Sequence, residues 1–145
     1  MLIPENSLTE EIRELIKICE VLEAEEGFKS KFEPAATEEE IEEWENKNGV
    51  KIPDSYKDWL RFSKNAYIMA SHQHFHMPEL ENVPYDFTDD MVEIGTLSGV
   101  GVGLGFSSVT GKFITADHGD LFEIDSFKDV LQGLVISHLK DFYGI

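Results

Sequence analysis

The stretch "TEEEIEEWENKNGVKIPDSYKDWLRFS", residues 37–63, spells out two helices and the signals that part them. Thr37 followed by Glu40 is a capping box, and Ala36 stands where it can staple onto Ile41. Gly49 lacks the Cβ that disfavours a left-handed residue, so it stops the first helix. Ile52 and Pro53 restart the chain, since proline is tolerated in a first helical turn, and Tyr56, Trp59 and Leu60 make the next buried stripe. The first helix is acidic, the second short and aromatic.

Upstream, Leu8, Ile12, Leu15, Ile16, Cys19 and Leu22 recur at helical spacing, with Ser7 and Glu10 placed as a second capping box and Gly27 beyond the end. The other face of that helix carries Glu10, Glu11, Glu14, Glu20 and Glu23. Downstream of the quoted stretch the period changes towards two over residues 65–81. Residues 91–124 then read as a meander of strands broken by Gly99, a Thr110-Gly111 turn and a turn from Asp117 to Asp120. Ser126 caps a last helix whose apolar face is Phe127, Val130, Leu131, Leu134, Val135, Leu139 and Phe142. No repeat or linker divides these pieces. The expected fold is a single α+β domain over residues 1–145, a twisted and mostly antiparallel sheet flanked by N-terminal helices and a C-terminal helix.

Charge narrows the function. The 145 residues hold 29 Asp plus Glu against 12 Lys plus Arg, a formal net charge of −17. With 41% apolar and 11% aromatic residues the chain is not a disordered acidic tail. So negative a surface repels phosphate backbones and anionic headgroups, so neither nucleic acid nor membrane is an expected partner. Residues 100–106, the most continuous apolar run, fall far short of the roughly 20 needed to span a bilayer. The single Cys19 cannot form an internal disulfide and the first residues show no export signal, so the cytoplasm is the expected location.

Among candidate chemistries, His72, His74 and His76 alternate with Gln73, Phe75 and Met77; on a strand all three imidazoles would share one face, as a metal site requires. The plainer reading is a polar strand face with Phe75 and Met77 inward, because the nearest carboxylates, Glu79 and Glu81, lie beyond Pro78. Gly99, Gly101, Gly103 and Gly105 alternate with apolar residues, but no strand-to-helix context or Gly-Lys-Ser/Thr ending makes them a phosphate loop. They read instead as a strand face that another backbone or ring approaches closely, with the opposite side in the core. Ser107, Ser108, His118 and Asp117 or Asp120 supply the residue types of a hydrolase triad without a nucleophile elbow. His118 reads as a turn residue, His138 as an edge histidine of the last helix, and Cys19 as a small buried hydrophobe. No cofactor and no catalytic residue is expected.

Residues 37–63 resemble the opening of the SUKH superfamily, which groups yeast cell-wall-assembly regulators with bacterial immunity proteins. The resemblance rests on the Thr37 cap, the acidic helix, Gly49, Ile52-Pro53 standing for the family's Leu-Pro, Tyr56 and Trp59-Leu60. Further on, "IGTLSGVGVGLGFSSVTGKFITADHGD", residues 94–120, looks like the family's glycine-rich strand, hairpin and Asp-His turn, with Ser126-Phe127 opening the last helix. The likeness covers about residues 37–140. Asn65-Ala66 stands where the family often shows Asn-Gly, and the first helix lies outside the motif. The resemblance implies an α+β domain without a catalytic centre that acts through protein contacts, in bacteria commonly by neutralising a toxin.

Charge and resemblance together lead to a non-enzymatic immunity protein that binds a basic toxin domain, plausibly a nuclease. A regulatory scaffold in cell-wall assembly or signalling is the alternative, and a small metal-dependent enzyme on His72, His74 and His76 a third. The expected partner face is the set of acids at strand ends and turns: Glu79, Glu81, Asp89, Asp90, Asp117 and Asp120. The helix acids Glu39 and Glu43 are the other choice.

Overall fold

The computed structural model describes residues 2–80, 90–97, 102–117 and 119–145. Three helices, α1 (Thr9–Glu26), α2 (Glu38–Asn48) and α3 (Asp54–Leu60), precede most of the sheet. The strands are β1 (Lys31–Phe32), β2 (Asn65–Ile68), β3 (Gln73–Glu79), β4 (Met91–Leu97), β5 (Val102–Ser107), β6 (Phe113–Asp117) and β7 (Asp120–Ile124). They lie in chain order in one sheet, each antiparallel to the next. A C-terminal rod closes the fold: α4 (Phe127–Asp129), a π-helical run over Val130–Ile136 and α5 (Ser137–Tyr143).

Local signals set the helix ends. The Thr37 hydroxyl accepts from the Glu40 N–H at 3.1 Å while the Glu40 carboxylate accepts from the Thr37 N–H at 3.1 Å, so the capping box is complete. Gly49 (φ 64°) and Gly27 (φ 75°) end α2 and α1 in the left-handed region. The capping box expected at Ser7 does not form. Ser7 turns its hydroxyl to the Asp58 carboxylate of α3 at 2.5 Å, and the first turn is held by Asn6 and Thr9 instead. The Asp58 carboxylate also accepts from the Ser7 N–H at 3.3 Å, so Ser7 is anchored to α3 ahead of the helix, and Leu8 stands at the N-cap position.

The core fills the space between the helices and one sheet face. Leu8, Ile12, Leu15, Tyr56, Trp59, Leu60, Phe127, Val130, Leu131, Val135 and Leu139 meet Ala66, Phe75, Val92, Leu104, Phe106 and Phe113, all fully buried. Glu11, placed by its spacing on the solvent face of α1, is instead only 3% exposed and accepts a hydrogen bond from Gln132 Nε2 at 2.8 Å. The π-helical run covers that face, so the helical stripe is wider than its apolar residues alone indicate.

Register fixes what lies on the opposite face. Tyr67, His74, Thr96, Gly103, Ala116 and Leu121 form one continuous cross-strand row there. Of the expected glycine face Gly103 and Gly105 are described and both are buried, and Leu104 and Phe106 point into the core as expected. Gly99, Gly101 and His118 lie outside the described residues.

Candidate functional site

β3 carries the most elaborate polar arrangement, and it starts from a break in the ladder. Phe75 pairs with Gly95, but the next register partner is Glu79 with Glu93, so residues between them bulge out of the β3–β4 pairing. Their carbonyls need other donors. The Tyr56 hydroxyl donates to the His76 carbonyl at 2.6 Å, His76 Nδ1 lies 2.7 Å from the Met77 carbonyl, and Trp44 Nε1 donates to the Pro78 carbonyl at 2.9 Å. Three consecutive orphan acceptors are thus satisfied by three side chains, two of them sent from α2 and α3. Burial raises the Tyr56 phenol well above its ordinary range, which keeps the hydroxyl a donor. Tyr56→Phe should cost about 1 to 3 kcal/mol, the penalty of a buried acceptor left unpaired. Urea denaturation checks this; an unchanged midpoint would mean that the bulge holds without the phenol.

The histidines do not line up as the alternation implied. His72 lies before β3 at φ 51°, exposed, closing a 3-10 turn over Met69–Ser71. The three-imidazole face is therefore corrected to two, His74 and His76, with ring centroids 5.1 Å apart. Asn65 spends its amide N–H₂ on the Glu33 carboxylate at 2.7 Å, so its oxygen faces His74 Nε2 at 2.5 Å and that nitrogen must be the donor. Glu33, Asn65 and His74 make one relay. His76, with Nδ1 turned to the Met77 carbonyl, points Nε2 at the Glu93 carboxylate 3.6 Å away. Among the described residues no group of three or more His, Cys, Asp or Glu is arranged to hold a metal ion.

Electrostatics of this pair follow from burial. Desolvation, with His76 second, holds His74 below its ordinary 6.5; desolvation raises Glu93, opposed by His76. Between pH 6.5 and the lower folded value the unfolded chain binds a proton that folded His74 refuses, so its contribution to stability falls as pH drops below 6.5. Glu93 acts in the opposite sense, costing stability as pH rises above 4.5. We expect the melting temperature of His74→Gln, relative to wild type, to improve as pH is lowered from 7 towards 5.5. A constant difference would show that His74 takes up its proton equally well folded and unfolded.

Two adjoining hollows of about 390 and 510 Å³ open over these side chains and share Glu33, Asn65 and His74. Lys29 and Lys31 border one, Lys64 and Glu79 the other. The groove is shallow and mixed in charge, suited to hydrogen-bonding a partner's side chains. Glu33 and Asn65, which line it, and Glu93, which His76 faces, were missed by the sequence reading. Only the two-residue strand β1 and the bulge bring them together, and neither leaves a local signal.

The acids singled out at strand ends do not converge on one spot. Glu79 ends β3 opposite Glu93, and Asp90 precedes β4 at the same end of the sheet. Asp117 and Asp120 face each other across the β6–β7 turn at the other end, four residues along β6 or about 13 Å away. Glu81 and Asp89 lie outside the described residues. Asp90 accepts from the Ser107 hydroxyl at 2.7 Å, and its carbonyl accepts from the Ser108 N–H at 2.7 Å. Ser107 Oγ in turn accepts from the Val109 and Thr110 N–H groups at 3.1 Å. These two residues build the β5–β6 turn, so the triad-like residue types at Ser107 have a structural use.

Most of the negative charge is displayed. Glu39, Glu42 and Glu43 line the outer face of α2, and Asp120 and Glu123 lie exposed along β7. No helix among the described residues is long and apolar enough to cross a membrane. Against known proteins, the model of the SMI1 / KNR4 family (SUKH-1) matches residues 35–133, more than half of the chain. No curated protein and no solved structure matches it.

Proposed function

The chain belongs to the SMI1 / KNR4 family (SUKH-1), and from that premise we propose that it is a non-enzymatic binding protein of the immunity type, neutralising a basic toxin domain in the cytoplasm by direct contact. The observation that carries the reading is the display of charge. The chain's net −17 is displayed largely on exposed carboxylates, among them Glu39, Glu42 and Glu43 of α2 and Asp120 and Glu123 of β7, at a self-repulsive cost that a cationic partner relieves. A nuclease is the partner that fits best, because its own substrate site must be basic to hold phosphates, and an acidic surface competes for that site. The groove over His74 and His76 then adds hydrogen-bonding groups rather than chemistry.

The test is to express the chain with an affinity tag in its source organism, identify what co-purifies, and co-express the two in a sensitive host. A basic protein whose toxicity is relieved by the chain supports the reading. Co-purification with a cell-wall-assembly or signalling enzyme, with no toxicity to relieve, would replace it by the scaffold alternative.

A further inference from the structure

β7 pairs only with β6, so one long side of it has no strand partner among the described residues. In an antiparallel ladder alternate residues turn their N–H and C=O away from the partner, and an edge therefore presents a row of unpaired backbone groups. Proteins usually blunt such an edge with charged side chains, lysine above all, a proline, a bulge or simple shortness. The other edge, β1, is two residues long and begins with Lys31. β7 has no lysine, proline or bulge: its sequence is DLFEI, its only charges are the acids Asp120 and Glu123, which repel another acidic strand but admit a cationic one, and its register with β6 runs unbroken from Asp117↔Asp120 to Phe113↔Ile124.

Its side chains are as available as its backbone. Leu121 and Phe122 are 41% and 57% exposed and project to opposite faces, offering apolar contact on both sides of the edge. Phe122 sits in the helix-side row, at a strand the helices do not cover. Asp120 and Glu123 flank the pair, exposed and with carboxylates that have no ion-pair or hydrogen-bond partner among the described residues. Asp125 beyond them is approached by Lys112 at 3.8 Å.

We propose that β7 is the docking edge: an extended cationic segment of the partner adds to it as an eighth strand, its Lys or Arg side chains meeting Asp120 and Glu123 and its apolar ones packing on Leu121 and Phe122. Backbone pairing supplies affinity in this mode and the side chains supply selectivity. Charge decides the occupant. In a second copy pairing antiparallel through β7, the register that sets Leu121 against Phe122 also sets Asp120 against Glu123, and like charges directly opposed are destabilising. The inference deepens the proposed function and rests on it for the partner's basic character.

A short synthetic peptide of alternating Lys and Val, titrated at low salt into the full ¹⁵N-labelled chain, tests the edge directly. The expected result is that resonances of Leu121, Phe122 and Glu123 shift first and that β7 amides gain protection from hydrogen exchange. Phe122→Lys combined with Glu123→Lys should weaken binding about tenfold or more, with an unchanged circular dichroism spectrum. Asp120→Asn with Glu123→Gln, which keeps the shape, should weaken it in the same direction. Absence of binding, shifts mapping instead to Glu39, Glu42 and Glu43, equal binding of a Glu-Val peptide, or dimerisation through β7 would each overturn the proposal. A toxin that binds the Phe122→Lys, Glu123→Lys chain undiminished sinks the edge and leaves the function standing. Peptide bound on β7 without any toxin partner does the reverse.

Discussion

Gly95→Val is expected to destabilise the protein by about 3 kcal/mol or more, a large fraction of a typical domain's stability. Gly95 lies in β4 opposite Phe75, between the β3 bulge and a register shift against β5. A Cβ built there would fall on the His74 carbonyl oxygen, 3.0 Å from that carbonyl's carbon and 3.2 Å from Phe75 Cα. Those atoms are backbone and cannot swing aside as a side chain would, so β3 and β4 must part or the strand must slip. The requirement is steric, since Gly95 does not have positive φ. Alanine should therefore be nearly as damaging as valine, unlike a site where only β-branching matters. Denaturant midpoints of Gly95→Ala and Gly95→Val check this, and a wild-type midpoint for alanine would mean that the two strands do not approach so closely.

Phe127→Ala should cost about 3 to 5 kcal/mol, the loss expected for a fully buried aromatic ring. Phe127 opens the C-terminal rod, is wholly buried, and its ring lies 4.8 to 5.6 Å from those of Tyr56, Trp59, Phe75 and Phe113. It is where α3, the sheet and the C-terminal rod meet. Its N–H also donates to the Ser55 hydroxyl at 3.0 Å, tying the rod's start to α3. Phe127→Leu should recover part of the loss by refilling the site. Thermal unfolding of the two variants measures it; a cost below about 1 kcal/mol for alanine would show that the core collapses around the missing ring.

The parts of the fold that were legible in the sequence are those decided within a few residues. The Thr37–Glu40 capping box, the left-handed glycines 27 and 49, the Ser126 cap and the hairpin turns each depend on neighbours in the chain. Where the sequence misled, a distant group had intervened. Asp58 anchors the Ser7 hydroxyl and N–H to α3, so Ser7 stands ahead of α1 instead of capping it, and Gln132 with the π-helical run draws Glu11 inward. His74 and His76 share a face as their alternation implied, but His72 is lost to the 3-10 turn. The β3 bulge was invisible because its carbonyls are satisfied by Tyr56 and Trp44, 20 and 34 residues away. For the partner face, turn acids were a reasonable first choice by composition. Only sheet order and strand length separate Glu79 and Asp90 from Asp117 and Asp120, and only sheet order makes β7 an edge.

That separation also changes which variants probe the electrostatics. Reversing Asp90 would break its bond to Ser107 and the β5–β6 turn, mixing damage to the fold with loss of charge. Asp120 and Glu123 on β7, and Glu39 and Glu43 on α2, are exposed carboxylates whose reversal tests charge alone. The central claim is that a dense acidic surface steers a basic protein onto this domain. Its most direct measurement is the association rate of the co-purified partner as ionic strength rises through 0.1 M, where the Debye length is about 10 Å. The account predicts a rate that falls steeply with salt, and falls further for Asp120→Lys with Glu123→Lys than for Glu39→Lys with Glu43→Lys. An association rate indifferent to salt and to both pairs of reversals would contradict it.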